Sequence, residues 1–211
     1  DEPTMEAICQ GVKQAPDLGV QIGIVVGGGN FWRGRSSGRM ERTCADKIGM
    51  LATVMNCLAV SDMLRQLGLE TSVQTALFMP QVAQPFVRDE AVAELEQGKV
   101  VLFGAGTGNP FFSTDTASAL RAIEIGADVM FKATMVDGVY DKDPKKYPDA
   151  VKYDTLTFTR VLEEKLAVMD STAATLCRDN GLPILVFDLA DSGNIARAVQ
   201  GEQVGTLVKE N

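Results

Sequence analysis

Val100-Val101-Leu102-Phe103-Gly104-Ala105-Gly106-Thr107-Gly108-Asn109-Pro110-Phe111-Phe112-Ser113-Thr114-Asp115-Thr116-Ala117-Ser118-Ala119-Leu120 reads as an apolar strand, a glycine loop and the start of a helix. That order puts the loop at the carboxyl end of a parallel strand, where open α/β sheets bind ligands. Its glycines let the backbone come close to a bound group. Ser113 or Thr114 can cap the helix, whose free N–H groups and positive dipole end suit a phosphate or a carboxylate. The loop is therefore an anion cradle by expectation, although an ordinary capped helix would use the same Ser, Thr and Asp. Asn109 occupies the place of the last glycine in G-x-G-x-x-G, and the chain has no G-x-x-x-x-G-K-[ST], so neither a dinucleotide fingerprint nor a Walker loop is present.

Two more loops of this kind follow from the pattern. Val20 to Val26 reads as a buried strand running into Gly27-Gly28-Gly29-Asn30, and three glycines in a row suggest a nest of backbone N–H groups around an anion, with Arg33 close by to pair with phosphate. Asp128 to Ala133 is another buried strand, followed by an acidic loop from Thr134 to Pro144. There Tyr140 can line a nucleobase pocket and Asp143 can order the loop or bond a ribose, while Asp137-Gly138 reads as a plain turn.

Around these loops the periodicities predict a helix at Glu6–Gln14, a long one from Ile48 through Leu67, and a strand at Glu70–Ala76. Residues 78–87 look irregular; helices follow near Glu90–Glu96, Thr159–Ala167, Ser171–Arg178 and Asn194–Val199, with strands at Pro183–Phe187 and Thr206–Val208. Alternating strands and helices imply an α/β three-layer sandwich, with a central, mostly parallel sheet covered on both faces, in a single domain over residues 1–211. The long helix has more apolar surface than one stripe, which suits the core or a dimer contact.

Composition removes several functions. A net charge of −8 argues against a nucleic-acid surface, and the absence of histidine excludes Ser-His-Asp triads, imidazole bases and His-containing zinc sites. Cys9, Cys44, Cys57 and Cys177 form no C-x-x-C pair and read as reduced thiols of a cytoplasmic protein. Ile48 to Val60 looks too short to cross a bilayer, and no signal peptide is evident, so no membrane partner is expected. The chain opens on a helix without an initiator Met, whereas α/β domains usually open on a strand; an N-terminal segment outside this sequence is expected.

The motifs Gly27-Gly28-Gly29-Asn30-Phe31-Trp32-Arg33-Gly34, Gly49-Met50-Leu51-Ala52-Thr53-Val54-Met55-Asn56, Ala105 through Asp115, and Lys132-Ala133-Thr134 with Val136-Asp137-Gly138-Val139-Tyr140 occur in this order. Together they resemble the bacterial uridylate (UMP) kinases of the amino acid kinase family. The resemblance implies transfer of the γ-phosphoryl group of ATP to UMP, a reaction that needs positioning and charge neutralisation more than a protein base. It puts UMP on Gly28, Asp46 and the Thr107, Gly108, Asn109, Pro110, Phe111, Phe112, Ser113 and Thr114 loop, with Asp46 at the ribose. ATP would meet Gly29, Arg33, Thr134, Tyr140 and Asp143, and the catalytic group would be Arg33, Asp115 and Asp170. Mg²⁺ would ride mainly on the ATP phosphates, without a protein metal cage. A homohexamer, with GTP and UTP as effectors, is implied as well.

The family's opening strand carries a Lys-Leu-Ser-Gly loop whose lysine contacts the transferred phosphoryl group, and this sequence has no match to it. Where the family reads Asp-His-Met-Gly-Met, this chain has Asp46-Lys47-Ile48-Gly49-Met50. Rival readings are a carbamate or acetylglutamate kinase of the same fold, and a uridine-nucleotide-binding regulator without catalysis.

Overall fold

The computed structural model describes residues 2–32 and 40–210. The expectations for Arg33 and for the polar stretch after it lie outside the described residues as far as residue 39. In chain order the elements are α1 (Glu2–Gln14), β1 (Gly23–Val25), α2 (Arg42–Gln66), β2 (Thr71–Thr75), β3 (Gln84–Pro85), α3 (Arg88–Glu96), β4 (Val100–Gly104), α4 (Thr114–Glu124), β5 (Met130–Thr134) and β6 (Val139–Tyr140). There follow β7 (Lys152–Tyr153), β8 (Thr155–Leu156), α5 (Phe158–Glu163), α6 (Ser171–Asp179), β9 (Ile184–Asp188), α7 (Gly193–Val199) and β10 (Gly205–Val208).

The expected parallel-rich sheet is present as two hydrogen-bonded halves. One has the order β1-β4-β2-β3, all parallel, and the other β5-β9-β10-β8, where only the β9–β10 pair is antiparallel. Helix α4 packs on both β1 and β5 and so spans the halves. The short antiparallel β6–β7 pair is a separate ladder, tied to β10 by the Val139 N–H, which donates to Thr206 Oγ1 at 2.9 Å.

Strand β4 explains the layering. All five of its residues are buried, and they alternate between two cores. Val100 and Leu102 pack with Cys9, Cys57 and Leu64 of α1 and α2, whereas Val101 and Phe103 pack with Ala91 and Leu95 of α3. A strand buried on both faces needs an unbroken apolar run, which is what this segment supplies. The other half is cored by Phe158, Ile184, Val186 and Val208 beneath α4, α5 and α6.

Helix α2 begins six residues before the expected start, because the Glu41 carboxylate accepts from the backbone N–H groups of Thr43 and Cys44 and caps it. The apolar run Ile48 to Val60, expected to be too short to cross a membrane, lies within this 25-residue helix, which as a whole is long and apolar enough to do so by length and composition. Its place in the fold is on β2 and β4, with Ala52, Val54, Cys57 and Leu64 buried there. Helix α5 ends at Glu163 rather than near Ala167, and Lys165 follows with a left-handed φ of 52°.

Candidate functional site

The triglycine loop after β1 is carried by α2. A side chain at Gly28 would come within 2.7 Å of the Gly49 carbonyl oxygen and 2.9 Å of the Ala52 Cβ, so only glycine fits that approach. Neither Gly27 nor Gly28 takes a left-handed φ; close packing, rather than the geometry of a nest, is what requires glycine here. Asn56 completes the support, donating through Nδ2 to the Gly27 carbonyl at 2.7 Å and to Asn30 Oδ1 at 2.7 Å.

The loop after β4 rests on the same helix. Thr53 Oγ1 accepts from the Ala105 N–H at 2.7 Å and donates to the Met50 carbonyl at 2.7 Å. Gly108 combines a φ of 77° with a Cβ position only 3.1 Å from Ala76, so no larger residue sits there without strain. Thr107 and Asn109 brace one another, with the Asn109 N–H donating to Thr107 Oγ1 at 3.2 Å. Phe111 is left-handed as well, φ 72°, and this turns its N–H onto Asp46 Oδ2 at 2.7 Å. Arg42, in the first turn of α2, donates through Nε to both Asp46 oxygens at 2.8 Å. Thr114 Oγ1 lies 3.5 Å from where a Gly27 Cβ would be. Gly28, Asp46 and the Thr107–Thr114 loop are thus one neighbourhood, with the rings of Phe111 and Phe112 left exposed beside it.

Behind the loop, two helix N-termini share their caps. Ser113 caps α4 by accepting from the Thr116 N–H at 3.1 Å, and it donates through Oγ to Asp170. Asp170 in turn caps α6 by accepting from the Ala173 N–H at 2.9 Å and takes a further bond from Thr116 Oγ1 at 3.1 Å. Both dipole ends therefore face the same place, which favours negative charge there. Asp115, in the first turn of α4, holds Lys132 of β5, with Nζ to Oδ2 at 2.6 Å.

The third loop is joined to this centre through β5. Thr134 Oγ1 accepts from the Val136 N–H at 2.9 Å, closing the strand end. Asp143 accepts from the Lys145 N–H at 3.0 Å, and so it orders its own turn. Tyr140 donates its hydroxyl to Asp137 Oδ1 at 2.7 Å, and Lys152 donates to the other oxygen at 3.1 Å. The Tyr140 hydrogen bond holds Asp137 below the usual carboxylate range, and the same bond pushes the Tyr140 phenol up. Asp137 is therefore more than a turn residue: it fixes the ring of Tyr140. Sequence reasoning passed over it, although its i, i+3 spacing to Tyr140 was visible, and it also missed Arg42 and Lys132, whose partners depend on packing.

Three comparisons fit this geometry. The sequence pattern of the amino acid kinase family matches residues 1–188. A UMP kinase from Bacillus anthracis is 37% identical, with 100% of this chain and 88% of that one covered and a TM-score of 0.97. A UMP kinase from Ureaplasma parvum is 33% identical over 100% of this chain and 90% of its own, with a TM-score of 0.94. The uridylate kinase from Archaeoglobus fulgidus is 30% identical over 99% and 93%, with a TM-score of 0.75.

Proposed function

We propose, from the premise that the chain belongs to the amino acid kinase family, that it is a UMP kinase of pyrimidine nucleotide biosynthesis, a single domain making UDP and ADP from UMP and ATP. The observation that supports this reading within the site is the Phe111–Asp46 hydrogen bond, which ties the glycine loop to the start of α2 on the side proposed for the acceptor. On that side Gly28 and the Thr107–Thr114 loop receive the UMP phosphate, and Asp46 accepts from the ribose hydroxyls. ATP meets Gly29, Arg33, Thr134, Tyr140 and Asp143. The full-length likeness to UMP kinases does not favour a carbamate or acetylglutamate acceptor, nor a regulator without catalysis.

The chemistry suits a chain without histidine. A phosphate oxygen of UMP attacks the γ-phosphorus in line; its new P–O bond forms as the bond to the β-phosphate oxygen breaks, and no proton need leave the nucleophile. N–H groups at the start of α4 and the guanidinium of Arg33 take up charge in the transition state. Mg²⁺ usually keeps to substrate phosphates with one or two carboxylates beside it, and Asp115 and Asp170 are the carboxylates of this cluster that would stand beside the ion. When bound, the ion neutralises the β- and γ-phosphates.

Leu51, Met55 and Leu58 form an exposed stripe on α2 at helical spacing, 47%, 49% and 37% accessible. Such a face suits a dimer contact, from which a homohexamer would be built, with GTP and UTP as effectors; the enzyme would be cytoplasmic.

The test is kcat/KM for UMP and CMP with Mg-ATP on the full-length protein. Uracil presents a carbonyl at position 4 where cytosine presents an amino group, so a site donating there rejects CMP by about 10⁴-fold or more. Comparable values would make the enzyme a general pyrimidine nucleotide kinase, and turnover of carbamate or acetylglutamate alone would overturn the proposal.

A further inference from the structure

Arg42 occupies the first position of α2, directly after the Glu41 cap. A cation there opposes the helix dipole, and Arg four residues before Asp is the less favourable order for a helical pair. Helix stability therefore does not account for it. What Arg42 does is join two parts of the proposed acceptor site. Its Nε donates to both Asp46 oxygens at 2.8 Å, and its guanidinium carbon lies 5.3 Å from the centre of the Phe111 ring. Phe111, held left-handed, donates its N–H to the same carboxylate. The three residues join helix, carboxylate and loop.

We propose that Arg42 is the positioning residue of the acceptor site: by bridging Asp46 and the Phe111 ring it holds the carboxylate at the angle that meets the sugar hydroxyls, so recognition of a ribonucleotide over its 2′-deoxy analogue passes through it. This rests on the reading of Asp46 as the ribose acceptor. Two physical needs are met together. A carboxylate offers about four acceptor sites, so the protein can orient it while a ligand also bonds to it. A bare aspartate close to a phosphate dianion repels it, and the guanidinium offsets that charge. Lysine cannot replace it, since an ammonium has no flat face to lay against Phe111 while it holds the carboxylate.

The test is calorimetric binding of UMP and dUMP to the full-length protein and to its Asp46→Asn, Arg42→Ala and Arg42→Lys variants, with ATP affinity and Tm measured alongside. The wild type is expected to prefer UMP by about 10- to 100-fold, the range for a hydrogen bond to a charged group. Asp46→Asn should lose most of that ratio. Arg42→Ala and Arg42→Lys should lose it too while ATP affinity stays within about twofold, and Arg42→Lys should keep its Tm, which a merely structural role would not separate from the ratio. A wild-type ratio in both Arg42 variants, with the ratio lost in Asp46→Asn, overturns the role of Arg42 and leaves that of Asp46 standing. Equal affinity for UMP and dUMP in the wild type overturns both.

Discussion

Lys132 Nζ stands 2.6 Å from Asp115 Oδ2, so that the middle of β5 is tied to the first turn of α4. Both side chains are largely shielded, at 22% and 33% accessible, and the pair links the loop proposed for UMP to the strand that leads into the loop proposed for ATP. If it acts as a unit in orienting charge for the transferred group, Lys132→Met and Asp115→Asn should each lower kcat by roughly 10²-fold with smaller changes in either KM. The double variant should be hardly worse than either single one. Additive losses in that cycle would mean that the two residues work separately.

Asp170 is expected to show two separable roles. As the cap of α6 and the acceptor for Ser113 and Thr116, it should be worth about 1–3 kcal/mol when truncated to Ala. Asn is also a good cap, so Asp170→Asn should recover most of the lost Tm. It should not recover activity if the negative charge is needed. Thermal melts and kcat on the two variants decide this, and equal Tm values would remove Asp170 from the account of stability.

The Tyr140 hydroxyl is occupied by Asp137, which leaves the ring as the surface offered to a base. Tyr140→Phe should accordingly keep ATP affinity within about threefold, since the ring that would meet the base is retained and only the hydroxyl turned to Asp137 is lost. Tyr140→Ala, which removes the ring, should weaken ATP by at least 1 kcal/mol and leave UMP unchanged. An equal loss for both nucleotides in a binding titration would take Tyr140 out of the ATP site.

Burial pushes the Cys9 thiol up to about 11 and those of Cys57 and Cys177 up to about 12, while Cys44 is exposed at the start of α2. A thiol reagent at pH 8 should therefore label one cysteine per native chain and four per unfolded chain. UMP should slow labelling of Cys44, two residues from Asp46. The folded state keeps protons that unfolded thiols release near pH 9, so this part of the stability is intact below pH 9 and declines as pH rises toward 11–12. Each such thiol contributes up to about 1.4 kcal/mol per pH unit in that window. Chemical denaturation at pH 8 and pH 10 checks the sign, and Cys57→Ala should reduce the dependence.

Local order was open to inspection in the sequence because it depends on neighbours along the chain. The unbroken run Val100–Phe103 announced a strand buried on both faces, and Ser113 announced a cap, since a hydroxyl three residues before an N–H meets it whatever the rest of the fold does. The absence of histidine narrowed the chemistry before any coordinate was known. Residues whose role comes from a distant partner were not open to it. Arg42 looked like part of a polar loop until Phe111, 69 positions later by number, was found beneath its guanidinium. Gly28 looked like a nest residue until the Gly49 carbonyl was found where its side chain would be. The sequence by itself determined the main helices and strands and the three strand-end loops, because each follows from short-range sterics, capping and apolar periodicity, and it carried the family in the resemblance of four motifs in a fixed order. Only the tertiary structure decided which groups meet across those loops, because a hydrogen bond reaches about 3 Å while Lys132 and Asp115 lie 17 residues apart along the chain and Phe111 and Asp46 lie 65 apart.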